Sequence, residues 1–204
     1  LFQGDAMGKF NAYAADSGKL LTSIDVQSGV LSGASTYSVD GEQYVAFLTS
    51  KGGAFPLVSG YAGSASSAVP NIPRLIVLKL GGKAALPALP ATAPYKWEPP
   101  VQVGTSTDIA AGLSNFQRYC LVCHGPGAVG NGVLPDLRKS GTIADAAIWK
   151  SVVIDGVLKG NGMVSFAQVL TPKEAEQMRA YVISRAHYAK ANDAALGGPA
   201  KATK

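Results

Sequence analysis

Two regimes of hydrophobic spacing divide the chain. Up to about residue 80, β-branched and aromatic residues come in short runs, Val30 to Val39, Gln43 to Leu48 and Arg74 to Leu80, and turn pairs separate them, which predicts strands. Asp40-Gly41 is the clearest hairpin signal, because a primed two-residue turn needs φ > 0 and this pair adopts it at low cost. Asp16-Ser17-Gly18-Lys19 and Gly52-Gly53 mark further turns. Past residue 105 the apolar spacing becomes three and four. Ile109, Gly112, Leu113 and Phe116 then fall on one face of a helix predicted from Asp108 to Tyr119, and a shorter helix is expected over Asp145 to Val153. Thr171-Pro172-Lys173-Glu174 has the form of a capping box with Pro at the first helical position. It opens a helix whose stripe of Met178, Tyr181, Val182 and Arg185 continues to about Tyr188.

Between the regimes, Pro87, Pro90, Pro94, Pro99 and Pro100 recur among alanines, a composition that fixes φ repeatedly and favours an extended connector. The expected organisation is therefore a strand-rich region over 1–80, a linker over 81–104, an all-α domain over 105–190 and a flexible tail over 191–204. Some eighty strand-forming residues cannot easily bury both faces of a sheet, so the first region reads as a piece of a larger β structure. Of 204 residues 47% are apolar and 15% charged, as in a folded globular protein. Runs such as Leu75 to Leu78 fall far short of the roughly 18 to 20 apolar residues of a bilayer span. The net charge of +5 contains no block of like charges, which argues against nucleic-acid binding, and most of the excess lies after residue 104.

The only two cysteines are Cys120 and Cys123, with His124 directly after them. Two cysteines cannot form a disulfide framework, and Cys-x-x-Cys-His is the attachment signature of c-type haem. The competing reading is a redox-active or zinc-binding pair with an incidental His. A structural zinc site normally needs four protein ligands, however, and only His187 remains. With haem c, both cysteines form thioethers and His124 reaches the iron. A Met commonly fills the sixth position, which otherwise stays open for a substrate. Met7 lies among strands, and Met178 sits inside an apolar stripe, where Met is more often filler. Met163 lies in the glycine-rich segment Lys159-Gly160-Asn161-Gly162-Met163-Val164-Ser165-Phe166, which can bring backbone close to a flat cofactor, and is the expected second axial ligand.

Gly112, Phe116, Cys120, Cys123 and His124 resemble the class I cytochrome c pattern Gly-x3-Phe-x3-Cys-x2-Cys-His. The resemblance implies that Gly112 lets the first helix cross closely against an aromatic of the last, here Tyr181. It also implies that Pro135, in Leu134-Pro135-Asp136-Leu137-Arg138, presents the carbonyl that orients His124. Arg138 is then expected to pair with a haem propionate, or else to be an exposed surface arginine. Leu134, Phe166, Tyr181 and Val182 are expected to bury the macrocycle.

The segment CLVCHGPGAVGNG from Cys120 to Gly132, followed by LPDLR and GMVSF, resembles the C-terminal cytochrome domain of quinohaemoprotein alcohol dehydrogenases. Ala14-Ala15-Asp16-Ser17-Gly18-Lys19 is similar to that family's recurring propeller-blade motif, and Asp40 to Ala46 to its closing blades. The likeness spans about residues 1–190. It implies a partial β-propeller segment followed by an all-α class I cytochrome c domain, with pyrroloquinoline quinone (PQQ) and a calcium ion in a parent enzyme. The implied partners are the upstream blades and an external electron acceptor, whether a small copper protein, a cytochrome or a quinone-linked complex. The implied compartment is the bacterial periplasm. Two departures stand out: Thr22 lies nearest the position where the blade motif usually closes with Trp, and Lys51 stands where the family often has Trp. The catalytic aspartate, the adjacent-cysteine disulfide and the calcium ligands would all lie upstream, so no catalytic residue for alcohol oxidation is expected here. Leu1 to Gly4 also matches the remnant of a tag-removing protease, although it suits a native strand equally well.

Two rival functions follow from the same residues. One is a free-standing cytochrome c adaptor in which residues 1–85 form a docking module. The other is a haem peroxidase or gas sensor with an open sixth site. Trp149 reads as a propionate donor or as core, Trp97 as a pin for the connector, His187 as a solvated helix residue and Asp136 as a turn former.

Overall fold

The computed structural model describes residues 1–52, 66, 69–89, 91 and 95–193, which fall into two compact units. One comprises 1–92 with 131–133, and the other 93–130 with 134–204, so the division lies inside the proline-rich stretch.

The strand unit contains two three-stranded antiparallel sheets. The first is β1 (Phe2–Gly4), β2 (Lys9–Tyr13) and β3 (Leu20–Asp25), and the second is β4 (Ser35–Val39), β5 (Glu42–Thr49) and β6 (Arg74–Lys79), each in sequence order. The Asp40-Gly41 turn forms as the sequence predicts, with φ of 52° and 77°, and sets the register Val39 opposite Glu42. Alternation along β5 buries Val45, Phe47 and Thr49 on one face. Phe47 stacks on Phe10 of β2, ring centroids 3.8 Å apart, which joins the two sheets into one core. The strand expected from Val30 begins only at Ser35. Val30 is buried but makes a single bridge to Ser50, and residues 31–34 after it are outside the ladder. Lys51 is buried too, and loss of hydration pulls its ammonium pKa down. Gly53, part of an expected turn, lies outside the described residues. Among the described residues neither sheet reaches the four strands of a propeller blade.

In the helical unit, α1 spans Ser106–Tyr119, α2 is the single turn Leu121–His124, α3 spans Ala146–Lys150 and α4 spans Pro172–Asp193. The short helix expected over Asp145 to Val153 is interrupted: after Lys150 the backbone winds into a π-helical turn over Ser151–Asp155. The capping box expected at α4 forms, and a second one at Thr105 starts α1 at Ser106, two residues ahead of the expected Asp108. Asp108 accepts from the Thr105 backbone N–H while Thr105 Oγ1 accepts from Asp108 N, and Glu174 and Thr171 repeat the exchange at α4. The burial of α4 is wider than a stripe. Six consecutive residues, Met178 to Ile183, are buried, because α1, α3 and the connecting turns pack around it. Arg185, expected in the stripe, is only half-buried and lies over the Tyr188 ring at 4.2 Å. Helix α4 also continues three residues into the expected tail, whose remainder, 194–204, lies outside the described residues.

The α1 cap gives the unit an acid-sensitive element. The Thr105 backbone N–H, then the Gln177 side chain and the Thr105 hydroxyl, hold the Asp108 carboxyl at about 2, below its ordinary 3.8. A folded-state pKa lowered in this way contributes stability that is complete above pH 3.8 and lost as pH falls through about 2. Denaturant midpoints measured at intervals between pH 5 and 2 are expected to decline for the native chain. They should decline less steeply for Asp108→Asn, which cannot titrate.

Candidate functional site

Helix α1 delivers the cysteine motif. Its last turn closes with Cys120 N–H donating to the Phe116 carbonyl, and the chain rewinds at once into α2, where the Cys120 carbonyl accepts from His124 N at 2.8 Å. Cys120 precedes that turn and Cys123 lies within it, one turn further on. Neither is in a disulfide; Cys120 is buried and Cys123 exposed. Burial first, and the neighbouring Cys123 second, push the Cys120 thiol up to about 12, so it is a neutral thiol at ordinary pH. Its Sγ lies 3.8 Å from Met178 Sδ.

His124 is buried, and its Nδ1 is the one buried side-chain nitrogen or oxygen among the described residues without a hydrogen-bond partner. Desolvation lowers the ring's pKa, while the facing Pro135 carbonyl acts in the opposite direction without completing a hydrogen bond. Gly130 gives that carbonyl its neighbour. A Cβ at Gly130 would stand 2.8 Å from both the carbon and the oxygen of the Pro135 carbonyl, so only glycine permits this approach. These features fit a c-type haem. There are two free thiols one turn apart for covalent attachment, an imidazole held out of water beside them, and a carbonyl placed to receive its N–H once the other nitrogen is engaged.

The helix crossing that carries this turn is as tight as the sequence predicts. A Cβ at Gly112 would lie 2.0 Å from the Gln177 carbonyl oxygen, and Phe116 packs on Tyr181 with centroids 5.2 Å apart. The three methionines separate clearly. Met7 is exposed in the strand unit, Met178 is wholly buried, and Met163 is half-buried in a loop, packed with Phe166 against the cluster that includes Cys120. Phe166 N–H donates to the Val153 carbonyl, and Ser165 Oγ to the Ile154 carbonyl, which ties that loop to the π-helical turn. Leu134 is half-buried, and Val182 belongs to the core.

Arg138 is engaged within the protein. Its Nε and Nη2 meet the two Asp136 carboxylate oxygens at 2.8 and 2.7 Å, a bidentate pair, and its guanidinium lies 5.3 Å from the Trp97 ring. Asp136 also accepts from Arg138 N, capping the turn Leu137–Lys139, so it forms the turn and grips the arginine as well. Trp149 is core: its indole N–H donates to the Ala175 carbonyl at 2.7 Å. Trp97 pins the connector to the helical unit, as expected. Exposed His187 joins it there through a 2.8 Å bond to the Pro100 carbonyl. Sequence reasoning missed Tyr95, Lys139 and Gly130. An aromatic pair spaced by two in a proline-rich connector was the one available sign.

Comparison with known proteins agrees with this geometry. Residues 107–182 match the family described as cytochrome C oxidase, cbb3-type, subunit III. The chain is 40% identical over 187 residues to Quinohemoprotein alcohol dehydrogenase ADH IIB of Pseudomonas putida, covering 91% of this chain and 27% of that protein. It is also 40% identical over 187 residues to the dehydrogenase subunit of an alcohol dehydrogenase (quinone) of Acetobacter aceti, covering 92% and 25% respectively. The solved quinohemoprotein alcohol dehydrogenase ADHIIG of Pseudomonas putida HK5 superposes with a TM-score of 0.77 at 40% identity, again over 92% of this chain and 27% of that one. The enzyme from Comamonas testosteroni gives 0.62 at 27% identity. The chain thus spans about a quarter of the length of the relatives it matches.

Proposed function

We propose, on the premise that this chain is a homologue of quinohaemoprotein alcohol dehydrogenases, that it is the electron-relay portion of such an enzyme. The observation that carries the reading is the Cys120–Cys123–His124 turn with its buried, unpartnered Nδ1. When bound, the haem supplies Fe(III)/Fe(II) cycling, which lets two electrons held by a reduced quinone leave one at a time. Cys120 and Cys123 would anchor the macrocycle, His124 would bind the iron with the Pro135 carbonyl placed to receive its N–H, and Met163 would supply the second protein ligand, while Leu134, Phe166, Tyr181 and Val182 would exclude water. Arg138 is held by Asp136 beside the proline loop rather than presenting a free fork to a propionate. The strand unit is the end of a propeller that holds PQQ and calcium through residues outside this chain. The whole works in the bacterial periplasm and passes electrons to an external acceptor. The basic excess of the cytochrome region favours an acidic acceptor through faster encounter. The adaptor reading is weaker, because the likeness to alcohol dehydrogenases runs through the strand and helical units together.

The test is a ferric and ferrous visible spectrum with haem staining on a denaturing gel, for the chain and for Met163→Ala. Covalent haem with a low-spin spectrum is expected, and the variant should turn high-spin or exchange its ligand, losing the weak red-end ferric absorption of Met ligation. Absence of covalent haem defeats the relay. An unchanged spectrum in the variant removes Met163 from the iron and brings forward a different axial arrangement.

A further inference from the structure

The connector ahead of α1 is built into the support of the proximal histidine. Tyr95 and Trp97 meet edge to face, centroids 4.9 Å apart at 78°. Lys139 Nζ sits 4.8 Å from the Tyr95 ring and 5.2 Å from the Trp97 ring, and the Arg138 guanidinium lies 5.3 Å from Trp97. Two cations on two rings form a clamp, since each is drawn to the negative face of an aromatic. Its grip passes along the chain: Arg138 is locked to Asp136 by the bidentate pair, and Asp136 follows Pro135, whose carbonyl faces His124. The Gly130 backbone also approaches that carbonyl, since a Cβ there would stand 2.8 Å from it. The Pro135 peptide is therefore fixed by its own loop and by the connector.

We propose that Trp97, with Tyr95, is a positioning residue for His124: the clamp keeps the Pro135 carbonyl where it can receive the imidazole N–H once haem is bound, and so tunes the reduction potential of the iron. The proposal rests on the haem reading above. A carbonyl that accepts from Nδ1 makes the ring a stronger donor, which favours Fe(III) and lowers the potential. Loosening the clamp weakens that bond and raises the potential. Because Trp97 is neutral, its removal changes no charge near the iron. The connector joins the strand unit to the cytochrome, so its hold on the proline loop makes the iron's potential responsive to anything that displaces the connector.

The experiment is a spectroelectrochemical titration of the haem-loaded chain and of Trp97→Ala and Trp97→Phe, with haem stain and helical circular dichroism as checks. The expected result is a midpoint displaced to more positive potential in Trp97→Ala and largely restored in Trp97→Phe, which keeps an aromatic face, while haem content and helicity stay unchanged. An unchanged or more negative midpoint in Trp97→Ala overturns the proposal. Should Trp97→Ala fail to fold, Arg138→Lys decides. It keeps the charge but loses the bidentate grip, and a positive shift supports the clamp while none overturns it. Absence of covalent haem in the unsubstituted chain is a separate result, which removes the relay function and this inference with it.

Discussion

Gly112→Ala is expected to destabilise the helical unit by about 3 kcal/mol or more, at or beyond the upper end of ordinary overpacking. Two effects oppose each other. Alanine gains roughly 1 kcal/mol over glycine in a helix interior. The new Cβ, however, would stand 2.0 Å from the Gln177 oxygen and 2.5 Å from its carbonyl carbon, and these are backbone atoms of α4 with no rotamer to change. Relief requires α1 and α4 to separate, which opens the Phe116–Tyr181 contact and moves the turn that carries Cys120 and His124. The steric cost wins. The denaturant midpoint should fall sharply, and haem incorporation should fall with it. A midpoint equal to the parent's would mean that the helices do not cross at this residue.

Local chemistry made much of this architecture legible. The capping box at α4, the Asp40-Gly41 hairpin and the spacing of Gly112, Phe116 and the cysteine motif each act within a few residues, and each forms as its sequence dictates. What escaped the sequence depends on partners far along the chain. Arg179 carries the charge of a surface residue, yet it is buried because its guanidinium reaches the Ile143 carbonyl and Glu176. Lys51 is buried in a unit whose sequence gives no sign of it. Trp97 could be assigned as a pin, but not to Arg138, because the two are brought together only when the connector folds back on the proline loop. Val30 fits a strand by composition and still makes only a single bridge, since Ser32, Gly33 and Ala34, which separate it from β4, have little strand preference. The π-helical turn has no spacing signal of its own, because apolar residues three and four apart suit an α-helix equally well.

Met178→Ala is expected to cost about 2–5 kcal/mol, the range for truncating a large buried aliphatic side chain, while leaving the low-spin ferric spectrum in place. Met178 is wholly buried, with its sulfur against Cys120 and its neighbours in the core shared by Phe116, Val182 and Ala186. Removing three heavy atoms leaves a cavity that backbone already in contact at Gly112 has little freedom to close. Met163 predicts the converse. It is half-buried on a loop, so Met163→Ala should lower the denaturant midpoint only slightly while changing the spin state of the iron. The pair therefore separates the two roles that methionine can have in this unit. Stability lost with the spectrum kept at position 178, and the spectrum lost with stability kept at position 163, assigns the sulfur on the iron to the loop. If Met178→Ala instead abolishes the red-end absorption and Met163→Ala does not, α4 supplies the ligand, and the core must open around Met178 when haem enters.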